Sequence, residues 1–304
     1  MRLTFINRNG YKISLPIPAI RNTSLKSPLF CANIPLKAGE KMAQYTELEN
    51  AREILKYLKA DIPVFYYDTI DSTNTQAKRF YEKHKNDSID TPTLFVADHQ
   101  SKGKGRLGRS FYSPSRTGLY MSLMIKADNI NENIVCLTTA VSVCVTDALT
   151  QLCDIDPKIK WVNDIYVNDK KVCGILCEAL TNPDTQKIDA IIIGIGVNID
   201  TKDFPKELSD IATSVGQAVN RNELCAKITD NIIDMCKTID DRKFIEKYKA
   251  RSLVLNREIT YFENGVTKSA TAIDIDNNGG LIIQTESGIK TLSTGEITVR
   301  LKND

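Results

Sequence analysis

The sequence predicts an α+β fold in which a mixed sheet flanked by helices precedes a small antiparallel β domain. Three observations indicate this fold. Strand-like and helix-like segments mix through residues 48–252 of the 304-residue chain. Residues 190–199 form an apolar run that is typical of a fully buried strand. From residue 253 onward, short strand-like segments alternate with turn signals and no helical period remains.

The composition is that of an ordinary globular protein. A hydrophobic fraction of 42% and a charged fraction of 26% argue against a disordered or fibrous chain. The formal net charge is only +2, so affinity for polyanions would have to come from local clusters of basic residues. The first residues lack the zones of a signal peptide, and no apolar run approaches membrane-spanning length. We therefore expect a soluble, cytoplasmic protein that does not contact a membrane.

The eight cysteines are scattered, several of them in apolar stretches, which favours reduced core thiols over a disulfide framework. Cys173 and Cys177 are four residues apart and raise the alternative of a metal site. Zinc needs about four nitrogen or sulfur ligands at compact spacing, and the two histidines, His84 and His99, lie far upstream. The interpretation is buried apolar filling. The scarcity of histidine also argues against a Ser-His-Asp or Cys-His hydrolase.

The first elements follow from local signals. Residues 1–19 alternate in polarity around Asn9 and Gly10, which predicts a β-hairpin. Residues 20–45 are interrupted by prolines and a glycine and predict irregular structure. The next predicted elements are, in order, an amphipathic helix at 48–58, a strand at 64–67, and a helix at 75–83 capped by the polar residues 71–74.

The later elements follow from length, periodicity and turn residues. Asn168 and Asp169 separate two strand-like segments and predict a hairpin turn between them. The predicted order is strands at 93–97 and 119–125, a buried helix at 137–152, hairpin strands at 159–167 and 171–180, the buried strand at 190–199, helices at 223–238 and 243–250, and the β domain at 253–304.

A loop rich in glycine and basic residues carries the first chemical signal. Residues 103–108 read Gly-Lys-Gly-Arg-Leu-Gly, which matches the dinucleotide fingerprint G-x-G-x-x-G. That fingerprint should open a helix, whereas residues 109–114 are non-helical and end in proline. The segment is better interpreted as an anion-binding loop. Four cations, Lys102, Lys104, Arg106 and Arg109, lie within eight residues, and the glycines let backbone amides approach a ligand closely.

The alternative for this basic loop, residues 103–109, is a solvated basic turn that touches nucleic acid. Alternating glycine and cation is a costly way to build such a turn, because glycine gains entropy in the unfolded chain. We therefore predict that the basic loop is mobile without ligand and becomes ordered around a multiply charged one.

Two further segments complete a pattern. Residues 160–178 contain Lys-Trp-Val-Asn-Asp and, further on, Lys-Lys-Val-Cys-Gly-Ile-Leu-Cys-Glu, and residues 193–198 read Ile-Gly-Ile-Gly-Val-Asn. Each segment alone is a weak signal of function, since a Gly-x-Gly within a strand usually marks a bulge or close packing. In this order, together with Ser72-Thr73-Asn74, Gln100, the basic loop, Ser113-Pro114, residues 118–122 and Thr294-Gly295-Glu296, they resemble the biotin protein ligase family. The resemblance covers residue 48 to the end of the chain.

The resemblance implies a fold, a reaction and partners. The fold would be a catalytic domain like that of class II aminoacyl-tRNA synthetases, followed by an SH3-like β-barrel. The family forms biotinyl-5′-AMP from biotin and ATP and then transfers biotin to one lysine of a biotin carboxyl carrier domain. ATP with Mg²⁺ and biotin would be bound as substrates, with no prosthetic group and no covalent enzyme intermediate. The related lipoate or octanoyl ligase type is the alternative within enzymes.

The resemblance also implies residue roles. The catalytic residues would be Arg106, Lys171 and Asp164, the last holding Mg²⁺ or orienting the incoming lysine. The biotin contacts would be Ser72, Thr73, Asn74, Gln100, Lys104, Gly105, Arg106, Lys171 and Gly174. The nucleotide contacts would be Arg106, Arg109, Phe111, Lys160, Asn163, Asp164, Asn198 and Arg300.

Three positions depart from the family pattern. Lys104 stands where arginine is frequent and offers a point charge instead of a bidentate contact. Phe111 replaces a tryptophan and is expected to pack on the adenine. Val162 replaces a proline, so the turn there is expected to be less rigid.

The resemblance divides the chain into three parts: an N-terminal extension at 1–47, the catalytic domain at 48–252 and the SH3-like domain at 253–304. Bifunctional family members start with a DNA-binding winged helix-turn-helix, and residues 5–16 resemble the wing of such a domain. The preceding helices are not in this sequence, so we expect no DNA binding. Family members dimerise, and carrier domains dock, at an edge of the catalytic sheet. Residues 190–199 are too apolar to form that edge.

Overall fold

The computed structural model describes residues 2–6, 12–16, 29–32, 38–85, 91–127, 134–182, 185–263, 265–293 and 299–301. The helices are α1 (Ala38–Tyr57), α2 (Thr73–His84), α3 (Ile134–Cys153), α4 (Arg221–Cys236) and α5 (Phe244–Ala250). The strands are β1 (Arg2–Ile6), β2 (Lys12–Pro16), β3 (Leu29–Ala32), β4 (Val64–Ile70), β5 (Thr93–Gln100), β6 (Gly118–Lys126), β7 (Lys158–Lys160), β8 (Asp164–Val167), β9 (Lys170–Thr181), β10 (Ile188–Asn198), β11 (Glu258–Glu263), β12 (Val266–Ile275), β13 (Leu281–Thr285), β14 (Gly288–Leu292) and β15 (Val299–Leu301).

The N-terminal strands form a three-stranded antiparallel sheet in the order β2-β1-β3. The predicted pairing of β1 with β2 is confirmed, while the turn at Asn9 and Gly10 lies outside the described residues. The prediction of irregular structure over 20–45 is wrong at β3 and from Ala38 onward, where α1 begins ten residues before the predicted helix. Residues 38–47 lack an apolar period but are rich in Ala, Glu, Lys, Met and Gln, which have high helix propensity.

A seven-stranded sheet in the order β4-β5-β6-β10-β9-β8-β7 forms the centre of the structure. β4 and β5 are parallel, and the other neighbours are antiparallel. The prediction of a mixed sheet is therefore confirmed, with β10 at its middle as its apolar sequence required. The predicted strand at 159–167 is wrong, because a turn at 161–163 divides it into β7 and β8. Trp161 and Val162 point into the core there, with exposed fractions of 5% and 1%.

Alternate residues of β10 face two different layers, as the pleat of a strand requires. Ile191, Ile193 and Ile195 belong to the larger core, which includes residues of α1, α3, α4 and α5. Ala190 and Ile192 belong to a smaller core shared with α2. Gly194 and Gly196 follow on this second face, so at these two positions the strand offers no side chain to fill the layer. The space over these glycines is where a pocket can form.

Helix α3 lies in the larger core. Its window Cys136–Cys153 is long and apolar enough to cross a membrane, yet 78% of it is buried inside the structure, which is typical of a core helix. The seven cysteines from Cys136 to Cys236 are free thiols, and burial raises the pKa of each of them, to about 11 for Cys153 and Cys177. These thiols stay protonated, as expected for apolar filling.

The C-terminal strands form a five-stranded antiparallel sheet in the order β14-β13-β12-β11-β15. It packs against the preceding part of the chain through Trp161, whose Nε1 donates to Gly279 O at 2.9 Å, and through the ion pair of Lys249 with Asp274 at 2.8 Å. The predicted fold class is confirmed. The domain limits stay predictions, and α1 runs without a break across residues 47 and 48.

Candidate functional site

A pocket lies over Gly194 and Gly196 on the α2 side of the central sheet. Its open volume is about 50 Å³, far below the roughly 300–1,000 Å³ of typical ligand sites. Its walls come from α2, the end of β5, the basic loop and strands β6, β9 and β10. The lining residues are Ser72, Thr73, Asn74, Gln100, Lys104, Gly105, Arg106, Phe111, Met121, Asn163, Lys171, Gly174, Ile175, Leu176, Gly194, Ile195 and Gly196.

All nine residues predicted to contact biotin line this one pocket. They are Ser72, Thr73, Asn74, Gln100, Lys104, Gly105, Arg106, Lys171 and Gly174. Three of the predicted nucleotide residues, Arg106, Phe111 and Asn163, line it as well. Arg109, Lys160, Asp164 and Asn198 do not, and the side chain of Arg300 lies outside the described residues.

The start of α2 forms part of the pocket wall. Ser72, Thr73 and Asn74 are buried, with exposed fractions of 2–4%. Ser72 is the N-cap residue by position, but its side chain makes no capping hydrogen bond, so the predicted cap is wrong in its chemistry. Instead, Gln100 Oε1 accepts from Thr73 N at 2.9 Å and from Thr73 Oγ1 at 3.2 Å. The amide of Gln100 therefore joins the end of β5 to the start of α2.

Two polar residues at this wall were not among the predicted site residues. Ser122 on β6 is fully buried, and its Oγ donates to Asn74 Oδ1 at 2.6 Å. Glu178 on β9 accepts from Asn74 Nδ2 at 2.8 Å and from Lys78 Nζ at 2.6 Å. Burial raises the pKa of Glu178, but the hydrogen bonds from Lys78 and Asn74 outweigh it and lower the pKa overall. Glu178 is the last residue of the segment 170–178 quoted above. Its place in that motif is the sequence signal that could have identified it.

Gly194 is required by the close approach of Asn74. A Cβ on Gly194 would lie 2.8 Å from Asn74 Cγ and 2.9 Å from Nδ2, and closer still to Oδ1. Real Cβ atoms essentially never come within 3.0 Å of another heavy atom. The second glycine of the Gly-x-Gly pair, Gly196, makes room in the same way for the ring of Phe111, whose Cζ would lie 2.7 Å from such a Cβ.

The basic loop is a small hairpin that folds back towards the pocket. Gly105 N donates to Arg109 O at 2.8 Å, and Phe111 N donates to Gly103 O at 2.9 Å. Leu107 and Gly108 turn the chain with φ of 55° and 74°. The hairpin carries Phe111 onto the bare surface of β9 and β10, beside Gly174 and Gly196. The ring of Phe111 thus fills space that a larger ligand would need.

Two pairs of interacting side chains lie at the cationic end of the pocket. Arg106 Nη1 donates to Asn163 Oδ1 at 3.0 Å, and Asn163 Nδ2 donates to Ile175 O at 2.8 Å. Burial lowers the pKa of Arg106, with partial compensation by Asp164; the guanidinium nevertheless stays charged. Lys171 Nζ lies 2.7 Å from Asp164 Oδ1. That oxygen is buried and accepts no hydrogen bond of good geometry, so the contact is an ion pair only.

The remaining predicted residues lie outside the pocket lining. Arg109 is exposed, and Lys160 lies 5.1 Å above the ring of Tyr166. Asn198 is buried at the end of β10, where its Nδ2 donates to Thr213 O at 3.1 Å. Among the described residues, no group of three His, Cys, Asp or Glu side chains is placed to hold a metal ion.

Comparison with known proteins gives a consistent result. A family profile described as "Biotin/lipoate A/B protein ligase family" matches residues 66–198, and one described as "Biotin protein ligase C terminal domain" matches residues 254–300. The bifunctional ligase/repressor BirA of Bacillus subtilis is 31% identical over 244 residues, which cover 77% of this chain and 73% of that protein. The chain belongs to the biotin protein ligase family.

Other relatives extend the likeness to structure. The biotin protein ligase of Aquifex aeolicus, solved in complex with biotin and ATP, superposes with a TM-score of 0.67 at 30% identity and covers 79% of this chain and 99% of that one. The biotin–[acetyl-CoA-carboxylase] ligase of Mycobacterium tuberculosis is 24% identical over 67% of this chain and 77% of its own length. The prediction of an enzyme of the biotin ligase class is confirmed. The roles of individual residues in this family member stay predictions.

Proposed function

We propose that the chain is an ATP-dependent biotin protein ligase, which forms biotinyl-5′-AMP and transfers biotin to a lysine of a biotin carboxyl carrier domain. The observation that carries this proposal is the convergence of four distant segments, α2, β5, the basic loop and β9, on one pocket. The pocket pairs a neutral hydrogen-bonding wall with a cationic end. That polarity suits a ligand with an uncharged polar head and a carboxylate tail.

In the first step, a biotin carboxylate oxygen bonds to the α-phosphorus of ATP, and the bond to the bridging oxygen breaks to release pyrophosphate. Two anions must approach each other, so positive charge at the reacting atoms lowers the barrier. Lys171 is the candidate for this role. Its Nζ is paired with Asp164 at 2.7 Å, and a ligand carboxylate would compete with Asp164 for that ammonium group.

In the second step, the amine of the carrier lysine attacks the acyl carbon of the mixed anhydride, and AMP leaves. The attacking lysine arrives as an ammonium group; it loses one proton to solvent before the attack, and a second proton leaves the nitrogen for solvent as the amide forms. Asp164 already accepts an ammonium group in this structure, which supports a role in orienting the incoming lysine. Mg²⁺ binds proteins through one or two carboxylates plus substrate phosphates; Asp164 fits such an ion, which would neutralise phosphate charge when bound with ATP.

The carrier domain has a matching place to dock. β8 pairs with β9 only as far as Gly174, whereas β10 pairs with β9 as far as Thr181. In the described part of the chain, residues 176–181 of β9 therefore have a strand neighbour on one side alone. A strand from a partner could add to this edge, close to Lys171 and Gly174. Homodimerisation through the same edge stays a prediction.

The direct test is biotin-dependent exchange of pyrophosphate into ATP, followed by transfer of labelled biotin to a purified carrier domain. We expect exchange with biotin and Mg-ATP, and label on the carrier that survives denaturation. Lipoate and octanoate replace biotin in parallel reactions. Exchange with lipoate or octanoate but not with biotin would overturn the proposal in favour of the lipoate or octanoyl type, and no exchange with any acid would overturn it altogether.

Gly194→Ala should weaken biotin binding about tenfold, since overpacking a well-filled site costs roughly 1–3 kcal/mol. The added methyl group would press on the amide of Asn74, which is held from both sides by Ser122 and Glu178. Biotin titration of the variant by calorimetry measures the effect. Ser269→Ala, at an exposed position of β12 in the distant β domain, serves as the control. Unchanged biotin affinity in Gly194→Ala would show that the Asn74 amide is not part of the site.

A further inference from the structure

Glu178 holds the amide of Asn74 from behind the pocket wall. Asn74 and Lys78 are four residues apart on α2, so their side chains lie on one face of the helix. Both donate to the same carboxylate across the sheet: Asn74 Nδ2 to Oε2 at 2.8 Å and Lys78 Nζ to Oε1 at 2.6 Å. The side chain of Glu178 is 23% exposed, so this contact is partly shielded from water.

This contact decides which way the Asn74 amide points. An ionised carboxylate is an acceptor only, so it can bind the NH₂ group of Asn74 but not its oxygen. The oxygen is therefore directed to the opposite side, where it lies against Gly194 and accepts from Ser122 Oγ at 2.6 Å. A carbonyl oxygen has two lone pairs. One accepts from Ser122, and the second can accept from a donor in the pocket, which Asn74 lines.

We propose that Glu178, which accepts from both Lys78 and Asn74, is a positioning residue that makes Asn74 present an acceptor to the ligand. The inference rests on the proposed function and deepens it. An acceptor at the neutral wall selects a ligand with an N–H donor, such as the cyclic urea of biotin. Glu178 itself does not line the pocket; it acts through Asn74.

Glu178→Gln tests the proposal without changing the size of the side chain. Lys78 would attract the amide oxygen of the new glutamine, which turns its NH₂ group towards Asn74. The Asn74 amide would then rotate and present NH₂ to the ligand. We expect KM for biotin to rise about tenfold, the effect of one mismatched buried hydrogen bond, while kcat and KM for ATP stay within about twofold.

The double variant Lys78→Met with Glu178→Gln separates orientation from simple packing. Without the ammonium group, the glutamine oxygen is free to face Asn74 again, so the double variant should recover most of the biotin affinity lost in Glu178→Gln. A purely structural role for Glu178 predicts the reverse, with the second change adding to the first. Glu82→Gln, an exposed carboxylate of the same helix paired with Lys85, is the matched control and should behave as wild type.

The outcomes distinguish failure of the proposed function from failure of the inference about Glu178. If the wild type shows no biotin-dependent pyrophosphate exchange, the proposed function fails. If the wild type exchanges pyrophosphate but Glu178→Gln has an unchanged KM for biotin, or the double variant binds biotin more weakly than the single one, the inference about Glu178 is overturned alone. Should Glu178→Gln not fold, Glu178→Asp carries the test, because its carboxylate is withdrawn from Asn74 by one methylene; a raised KM for biotin is expected, and an unchanged one would contradict the proposal.

Discussion

Lys171→Ala is expected to slow adenylate formation by about 100- to 1,000-fold, the usual effect of removing one preorganised donor from a site where negative charge develops. Lys171 Nζ lies against the bare surface of Gly174 and within 2.7 Å of Asp164, at the cationic end of the pocket. Without it, the carboxylate of biotin would face Asp164 and the phosphates of ATP without the ammonium group that lies beside Asp164. Quenched-flow measurement of biotin-dependent pyrophosphate release reports the step directly.

The stability of this variant should change little. The side chains of Lys171 and Asp164 are 30% and 27% exposed, and partly hydrated ion pairs contribute about 1 kcal/mol or less. Thermal unfolding in the absence of ligand measures this. Lys170→Ala is the matched control, because Lys170 is the adjacent lysine, is partly exposed, and donates to Ser209 O on the surface. Equal pyrophosphate release by Lys171→Ala and wild type would discard the assignment of Lys171.

The sequence predicted the site better than it predicted some of the elements around it. The residues of the Ser72–Asn74 triplet, Gln100, the basic loop and Lys171 meet at one pocket, because each comes from a motif whose order along the chain is itself informative. The start of α1 at Ala38 was missed, since the helix there lacks an apolar period. The break between β7 and β8 was missed because the buried turn residues at 161 and 162 continue an apolar strand pattern.

Local sequence could not predict which residues hold the side chains of the motifs in place. Asn74 and Glu178 are 104 positions apart and meet only because α2 packs on β5, β6 and β10, with β9 the next strand of the sheet. Ser122 is a small polar residue in an apolar strand, a pattern that occurs in many cores. Gly194 and Gly196 suggested a bulge or close packing, and only the structure shows which side chains approach them. Long-range contacts of this kind carry no periodic signal within either segment.

Arg106→Gly is expected to leave biotin capture partly intact while the variant releases the adenylate about 10- to 100-fold faster. This is the usual effect of losing a charged hydrogen-bonding group. Arg106 holds the basic loop against β8 and β9 through Asn163 Oδ1 at 3.0 Å. Removing this side chain takes away the link between the basic loop and Asn163. Released biotinyl-adenylate acylates lysines at random, so labelling of serum albumin added to the reaction measures the leak. Arg116→Gly is the control, since Arg116 is exposed and its φ of 65° suits glycine.

Ligand-dependent ordering of the basic loop decides whether this mechanism of retention holds. Ordering its backbone costs roughly 1–2 kcal/mol per residue, and the hairpin bonds of Gly105 with Arg109 and of Gly103 with Phe111 offset only part of that cost. The pocket of about 50 Å³ under Phe111 must also open to admit biotin and ATP. Trypsin should therefore cleave wild type between Lys102 and Arg109 quickly without ligand and slowly with biotin plus ATP. Arg106→Gly should be cleaved equally fast at Lys102, Lys104 and Arg109 with and without ligand. Slow cleavage of the wild type with and without ligand would mean that the loop is preformed and retains the adenylate by other contacts.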